Sequence, residues 1–327
     1  MRTRTLAGLL FLVVFTFFAC SQEQPVEPQF GQEQPATLAK KSAEETAIQN
    51  MLDNVNAQLA AAGKDYVAAV VEYITPEDSD EIGRTVFFRN LGNKQLGHHF
   101  VPLDSRRAWS GPGSAITWIN DTADGATSSG LTAATTAAAI RSAMATWEGV
   151  TCSTIPLNDL GDINFDLGVV QFLLGFGGVN GLAADITHAG FLPGAFFDAI
   201  VPGGSTFILG VTFTFIFVSG PDPTDIDNNG KLDTAFREIY YNDNFNWVIN
   251  QNIPGFPDFD VETVALHEAG HGLSQAHFGT AFRDAGSGKL HFSPRAVMNA
   301  AYSGIQQSIA ESDNGGHCSI WAHWPNN

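Results

Sequence analysis

The chain has 327 residues, 44% of them hydrophobic and 15% charged, so it can bury a sizeable core and is too apolar for wholesale disorder. Its 34 acidic against 16 basic residues give a formal charge of −18. Such a surface repels phosphate backbones and excludes nucleic acid as a partner.

In chain order, Arg2 and Arg4 precede an apolar run from Leu6 to Ala19, 14 residues where a membrane-spanning helix needs about 20. Residues 1–20 therefore read as a signal peptide. Its end, Phe17-Phe18-Ala19-Cys20-Ser21, resembles a bacterial lipoprotein signal, with Phe17 where leucine is usual. That resemblance implies a lipid anchor at Cys20, attachment to a membrane, and an extracytoplasmic place on the outer membrane or cell surface, plain secretion being the alternative. Residues 21–41, rich in Gln, Glu and Pro, read as a disordered linker. With Cys20 lipidated, Cys152 and Cys318 remain in an oxidising compartment, as one disulfide or as two separate buried thiols.

Ser42-Ala-Glu-Glu45 has the form of a capping box, and Ile48, Met51, Leu52, Val55 and Leu59 follow at helical spacing up to Gly63. Strand-like stretches follow at 66–74 and 85–89. Residues 42–107 thus form a small N-terminal α+β segment, an accessory unit or a propeptide. A second unit, 108–327, opens with a strand at 116–119 and a helix from about Thr132 to Glu148 that carries Ile140, Met144 and Trp147 on one side. Asp162–Asp166 alternates like a strand, Phe207–Val218 reads as a buried one, and 238–241 as another.

The chemistry lies in Asp260-Val-Glu-Thr-Val-Ala-Leu-His267-Glu268-Ala-Gly-His271-Gly-Leu-Ser-Gln-Ala-His277. Asp260 can cap a helix on which His267 and His271 share one face, both rings within reach of a single metal, with Glu268 beside them. In a continuous helix His277 would lie about 15 Å beyond His267 along the axis, too far for a common ion with bonds of about 2 Å. The helix must therefore break between His271 and His277, around Gly272 and Ser274.

This pattern resembles the metzincin zinc peptidases, whose motif is His-Glu-x-x-His-x-x-Gly-x-x-His. Four of its five specified positions are present, and Ser274 replaces the glycine. A left-handed serine there costs about 1–2 kcal/mol. Ala296-Val-Met298-Asn-Ala is similar to the methionine turn of that group. The 139–147 helix and the segments Gly181–Asp185 and Arg237–Asn242 look like matrixin elements, so the resemblance covers roughly 108–327. It implies an α+β zincin-like fold: a mixed twisted sheet, a long helix under it and the active-site helix crossing the cleft. It further implies Zn2+ on His267, His271 and His277, Glu268 as general base, Met298 beneath the metal, a protein or peptide substrate and a monomer. The rival reading is an inactive surface-anchored binding or adhesion protein that keeps a structural metal. Glu311 is an alternative carboxylate ligand, less favoured because His277 is present. No Pro-Arg-Cys-Gly latency sequence occurs.

A second expectation is Ca2+ on Asp225, Asp227, Asn229 and Asp233, which hold positions one, three, five and nine of an EF-hand-like loop with Gly230 at six. Position twelve is Phe236 rather than glutamate, and a plain Asp/Asn/Gly turn is the alternative. His98 and His99 read as surface or packing residues, with cover for the metal as a further option. His188, His291, His317 and His323 have no ligand spacing and read as structural.

Overall fold

A computed structural model describes residues 35–88, 97–107, 114–251 and 258–326. The expected signal peptide, with Cys20, lies outside the described residues. In chain order the elements are α1 (Pro35–Ala61), β1 (Tyr66–Pro76), β2 (Arg84–Phe87), β3 (His98–His99), β4 (Ile116–Asp121) and α2 (Ala133–Glu148). There follow β5 (Leu157–Ile163), α3 (Val169–Leu174), β6 (Ile186–Leu192), α4 (Gly194–Ile200), β7 (Gly210–Ser219), β8 (Asp222–Pro223) and β9 (Leu232–Asn242). Last come β10 (Asn246–Val248), β11 (Asp258–Asp260), α5 (Val261–Gly272), β12 (Thr280–Arg283), β13 (Leu290–Ser293), β14 (Ala301–Tyr302) and α6 (Glu311–Trp321). Among the described residues no helix is long and apolar enough to cross a membrane.

The fold is α+β with a mixed sheet in the order β14-β1-β7-β9-β6-β4-β5. β7 is antiparallel to both β1 and β9, whereas β9, β6, β4 and β5 run parallel. Period-two alternation along β7 sends Phe213, Phe215 and Phe217 to one face and Thr212 and Thr214 to the other. The phenylalanine face joins α1, α3 and α4 in one core. The other face packs under α2, α5 and α6, around Trp147, Leu266, Met298 and Trp321. Two indoles fix α5 there: Trp147 donates to Leu266 O at 2.8 Å and Trp321 to Leu273 O at 2.8 Å.

Several boundaries differ from those expected. α1 starts at Pro35, so Ser42 lies inside the helix and the segment up to 41 is not all linker. The strand expected at 162–166 ends at Ile163, because its partner β4 ends at Asp121, and Phe165 turns out to 52% exposure. The division at residue 107 does not separate two cores. β1 lies inside the main sheet between β14 and β7, and Val71 and Tyr73 share a core with Phe213 and Phe215. The pairing of Cys152 with Cys318 is the disulfide alternative, bridging 166 residues of sequence.

Candidate metal centre

Asp260 accepts from the Thr263 amide at 2.9 Å and starts α5 as its N-cap. α5 ends at Gly272, and Ser274 then takes φ 65°, the left-handed turn that reverses the chain. The Gln275 amide returns to Gly270 O at 2.8 Å. This break carries His277 back over the helix, leaving His271 Nε2 3.1 Å from His267 Nε2 and 3.2 Å from His277 Nε2.

Ring orientation is set from behind. His267 Nδ1 meets Val297 O at 2.7 Å and His271 Nδ1 meets Gln275 O at 2.9 Å. Carbonyl oxygens only accept, so both Nδ1 atoms carry the protons and both Nε2 atoms present lone pairs. Two lone pairs 3.1 Å apart repel one another unless a cation lies between them. Tetrahedral zinc with Zn–N bonds of about 2.0–2.1 Å needs nitrogens about 3.3 Å apart, so the donor set fits that ion. His267 and His271 are buried and His277 half-buried. Burial holds all three imidazoles below their ordinary pKa, His271 at about 3, and neighbouring rings add to the effect on His267 and His277. They are thus neutral and ready to ligate.

Glu268 is fully buried, and Thr212 of β7 donates to its Oε2 at 2.6 Å. Among the described residues no side chain bonds Oε1, and the Ile74 amide faces the carboxylate. Gly210 makes room for this carboxylate: a β-carbon at 210 would stand 2.9 Å from Glu268 Cγ and from Oε1. Burial pushes the Glu268 pKa well up, the Thr212 hydroxyl pulls it back, and the neighbouring Glu72 raises it again. Met298 lies under α5, where a β-carbon on Gly270 would meet its Sδ. Asp313 of α6 holds that turn by accepting from the Val297 amide at 2.9 Å and the Met298 amide at 3.2 Å. A cavity of about 230 Å³ opens beside His277, lined by Phe278, Met298, Ser312 and Asp313 among others.

Sequence reading missed several of these neighbours. Glu72 of β1 sits 3.3 Å from His271 Nδ1 and accepts from Thr85 at 3.0 Å, and Thr85 lies 3.4 Å from His277 Nδ1. Burial lifts Glu72 to about 7. Arg237 of β9 is fully buried and donates to Gly272 O at 2.7 Å, closing the end of the metal helix. The available signal was a charged residue inside a buried strand: Glu72 is the one charge in 66–76, and Arg237 shares 232–242 with Asp233 and Glu238. Glu311 opens α6 on the surface and is not among the clustered ligand atoms.

Asp225, Asp227 and Asp233 bring carboxylate oxygens within 4.8 Å of one another. Asn229 Nδ2 donates to Asp227 at 3.0 Å, and Gly230 takes φ 79°. Arg106 donates to Asp233 Oδ2 at 2.7 Å within this cluster, and Phe236 is buried in the core. A third group, Asp121, Asp124 and Asp166, also clusters within 4.8 Å and had not been singled out.

Four of the remaining histidines pack. His99 lies against Trp321 and Trp324 with ring centroids at 4.5 and 5.5 Å, and His98 stacks on Phe87. His188 bonds the Tyr241 hydroxyl at 2.9 Å, and His317 meets Ser153 Oγ at 2.9 Å while stacked on Trp147. His291 and His323 are exposed.

No known protein-family model matches this chain, and no curated protein is detectably similar to it.

Proposed function

We propose that this protein is a zinc-dependent endopeptidase of metzincin type, with a zincin-like fold, His267, His271 and His277 as ligands and Glu268 as general base. The observation that carries the reading is the convergence of three neutral imidazole nitrogens beside a buried carboxylate with one oxygen that no described side chain bonds. The break at Ser274 and the packing of Met298 under Gly270 support it.

Zinc, when bound, supplies Lewis-acid polarisation of a carbonyl and a nucleophilic water at neutral pH. The remaining chemistry falls to the chain's own residues. Thr212 holds Glu268 Oε2 and leaves Oε1 to take a proton from water and return it to the leaving amine. Burial favours the return, and a nearby cation opposes the upward shift so that Glu268 can first act as a base. Val297 O and Gln275 O keep the His267 and His271 rings in the ligating tautomer.

We also propose export with a lipid anchor at Cys20, a monomeric state, and calcium at Asp225, Asp227, Asn229 and Asp233. The deciding experiment measures zinc content and peptide hydrolysis for wild type, Glu268→Gln and His271→Ala. The expected result is one zinc per chain in wild type and Glu268→Gln, weakened binding in His271→Ala, and hydrolysis lost in both variants. Full activity in Glu268→Gln would rule out this base.

A further inference from the structure

Three polar side chains lie in one row across β2, β1 and β7. Strand register sets Thr85 opposite Glu72, and Glu72 opposite Thr212. Residues paired in this way point to the same face of a sheet. The neighbours of Glu72 along its strand, Val71 and Tyr73, point to the opposite face and share a core with Phe213. The row therefore faces α5, and each member addresses a different residue of the centre. Thr212 donates to Glu268, Glu72 Oε2 lies 3.3 Å from His271 Nδ1, and Thr85 Oγ1 lies 3.4 Å from His277 Nδ1.

The donors and acceptors along this row fall into a fixed order. Thr85 gives its hydroxyl proton to Glu72 Oε1 at 3.0 Å, which leaves its oxygen to accept from His277. His277 then carries its proton on Nδ1 and turns the lone pair of Nε2 toward His271 Nε2. His271 shares its Nδ1 proton between Gln275 O at 2.9 Å and Glu72 Oε2.

Resting on the metal-centre reading above, we propose that Glu72 and Thr85 are positioning residues of that centre. One carboxylate, acting directly and through one hydroxyl, fixes the tautomer and orientation of both His271 and His277. The β1–β2 hairpin is on this account a working part of the centre and not a propeptide.

Two physical reasons support the assignment. An imidazole ligating through Nε2 becomes more basic when its Nδ1–H faces a carboxylate, and a ring already held in place loses less freedom on binding. Glu72 and Glu268 are, besides, two carboxylates buried beside neutral rings, where a divalent cation needs compensating charge. Glu72 also faces the buried guanidinium of Arg237, so it compensates a second cation at the same place.

The test uses the full chain and three variants that leave the ligands and Glu268 untouched. Thr85→Val keeps the side-chain shape and removes the relay, Thr85→Ser keeps the hydroxyl, and Glu72→Gln keeps an acceptor but removes the charge. Three quantities are read: zinc affinity by competition with a chelator, the visible absorption of the cobalt(II)-substituted protein, and the melting temperature of the metal-free protein. Losing an outer partner of a ligating histidine costs about 10–100-fold in metal affinity, so Thr85→Val and Glu72→Gln should each bind zinc about tenfold or more weakly, and Thr85→Ser within about twofold of wild type. Cobalt absorption reports ligand geometry, and it should shift in Thr85→Val and Glu72→Gln but not in Thr85→Ser. A lower metal-free melting temperature with an unchanged cobalt spectrum would mark a merely structural role and overturn the inference. Wild-type zinc affinity in both Thr85→Val and Glu72→Gln would overturn it too, and would leave the peptidase reading standing. A wild-type chain that binds no zinc would overturn both. Should Glu72→Gln fail to fold, Thr85→Val against Thr85→Ser decides alone.

Discussion

Thr212 donates its hydroxyl to Glu268 Oε2 at 2.6 Å, and among the described residues no side-chain group bonds Oε1. A bond to the charged form stabilises it, so Thr212 opposes the burial that drives Glu268 toward protonation. Thr212→Val is expected to move the acidic limb of kcat/KM up by about one pH unit, worth about 1.4 kcal/mol. The pH–rate profiles of the two proteins check this. A limb that stays in place, with only the rate reduced, would mean that Thr212 does not set the charge on Glu268.

Ser274 sits at φ 65° with its hydroxyl buried and unpartnered. Serine in this conformation is strained relative to glycine, and the orphaned hydroxyl adds a desolvation cost. Ser274→Gly should stabilise the protein by about 1–2 kcal/mol with zinc affinity unchanged. Urea denaturation monitored by tryptophan fluorescence measures it. A destabilised variant would show that the serine is held by an interaction the fold does not reveal.

His188 is buried with Nε2 unpartnered, and burial lowers its pKa from 6.5 to about 3. Between those values the unfolded chain binds a proton that the folded chain refuses. Its stabilising contribution is therefore complete above pH 6.5 and is lost as pH falls toward 3. The loss runs at up to about 1.4 kcal/mol per pH unit. Relative to His188→Phe, wild type should lose stability at that rate between pH 6 and 4. Parallel stability curves for the two proteins would refute a buried neutral imidazole.

Arg106 holds Asp233 Oδ2 at 2.7 Å, so calcium at the proposed 225–233 site would have to compete with its guanidinium. Calcium should therefore raise the melting temperature and bind more tightly to Arg106→Gln, where the competing guanidinium is gone. Calorimetric titration gives both affinities. Zinc added in place of calcium should not reproduce the effect, and heat absent from both proteins would leave the loop a plain turn.

The sequence alone determined the local devices. The Asp260 cap, the i, i+4 placement of His267 and His271, the obligatory break before His277 and the alternation along β7 follow from helix rise and strand period, which act over a few residues. Tertiary structure decided what those devices face. Whether residues 66–76 form a separate unit or lie within the main sheet is a matter of which edge they pair with, and no local propensity encodes a partner some 140 residues away. The same holds for Glu72, Thr85, Thr212 and Arg237, whose place around the histidines comes from strand register. A polar residue in a buried strand announces that it needs a partner, and only packing says which one.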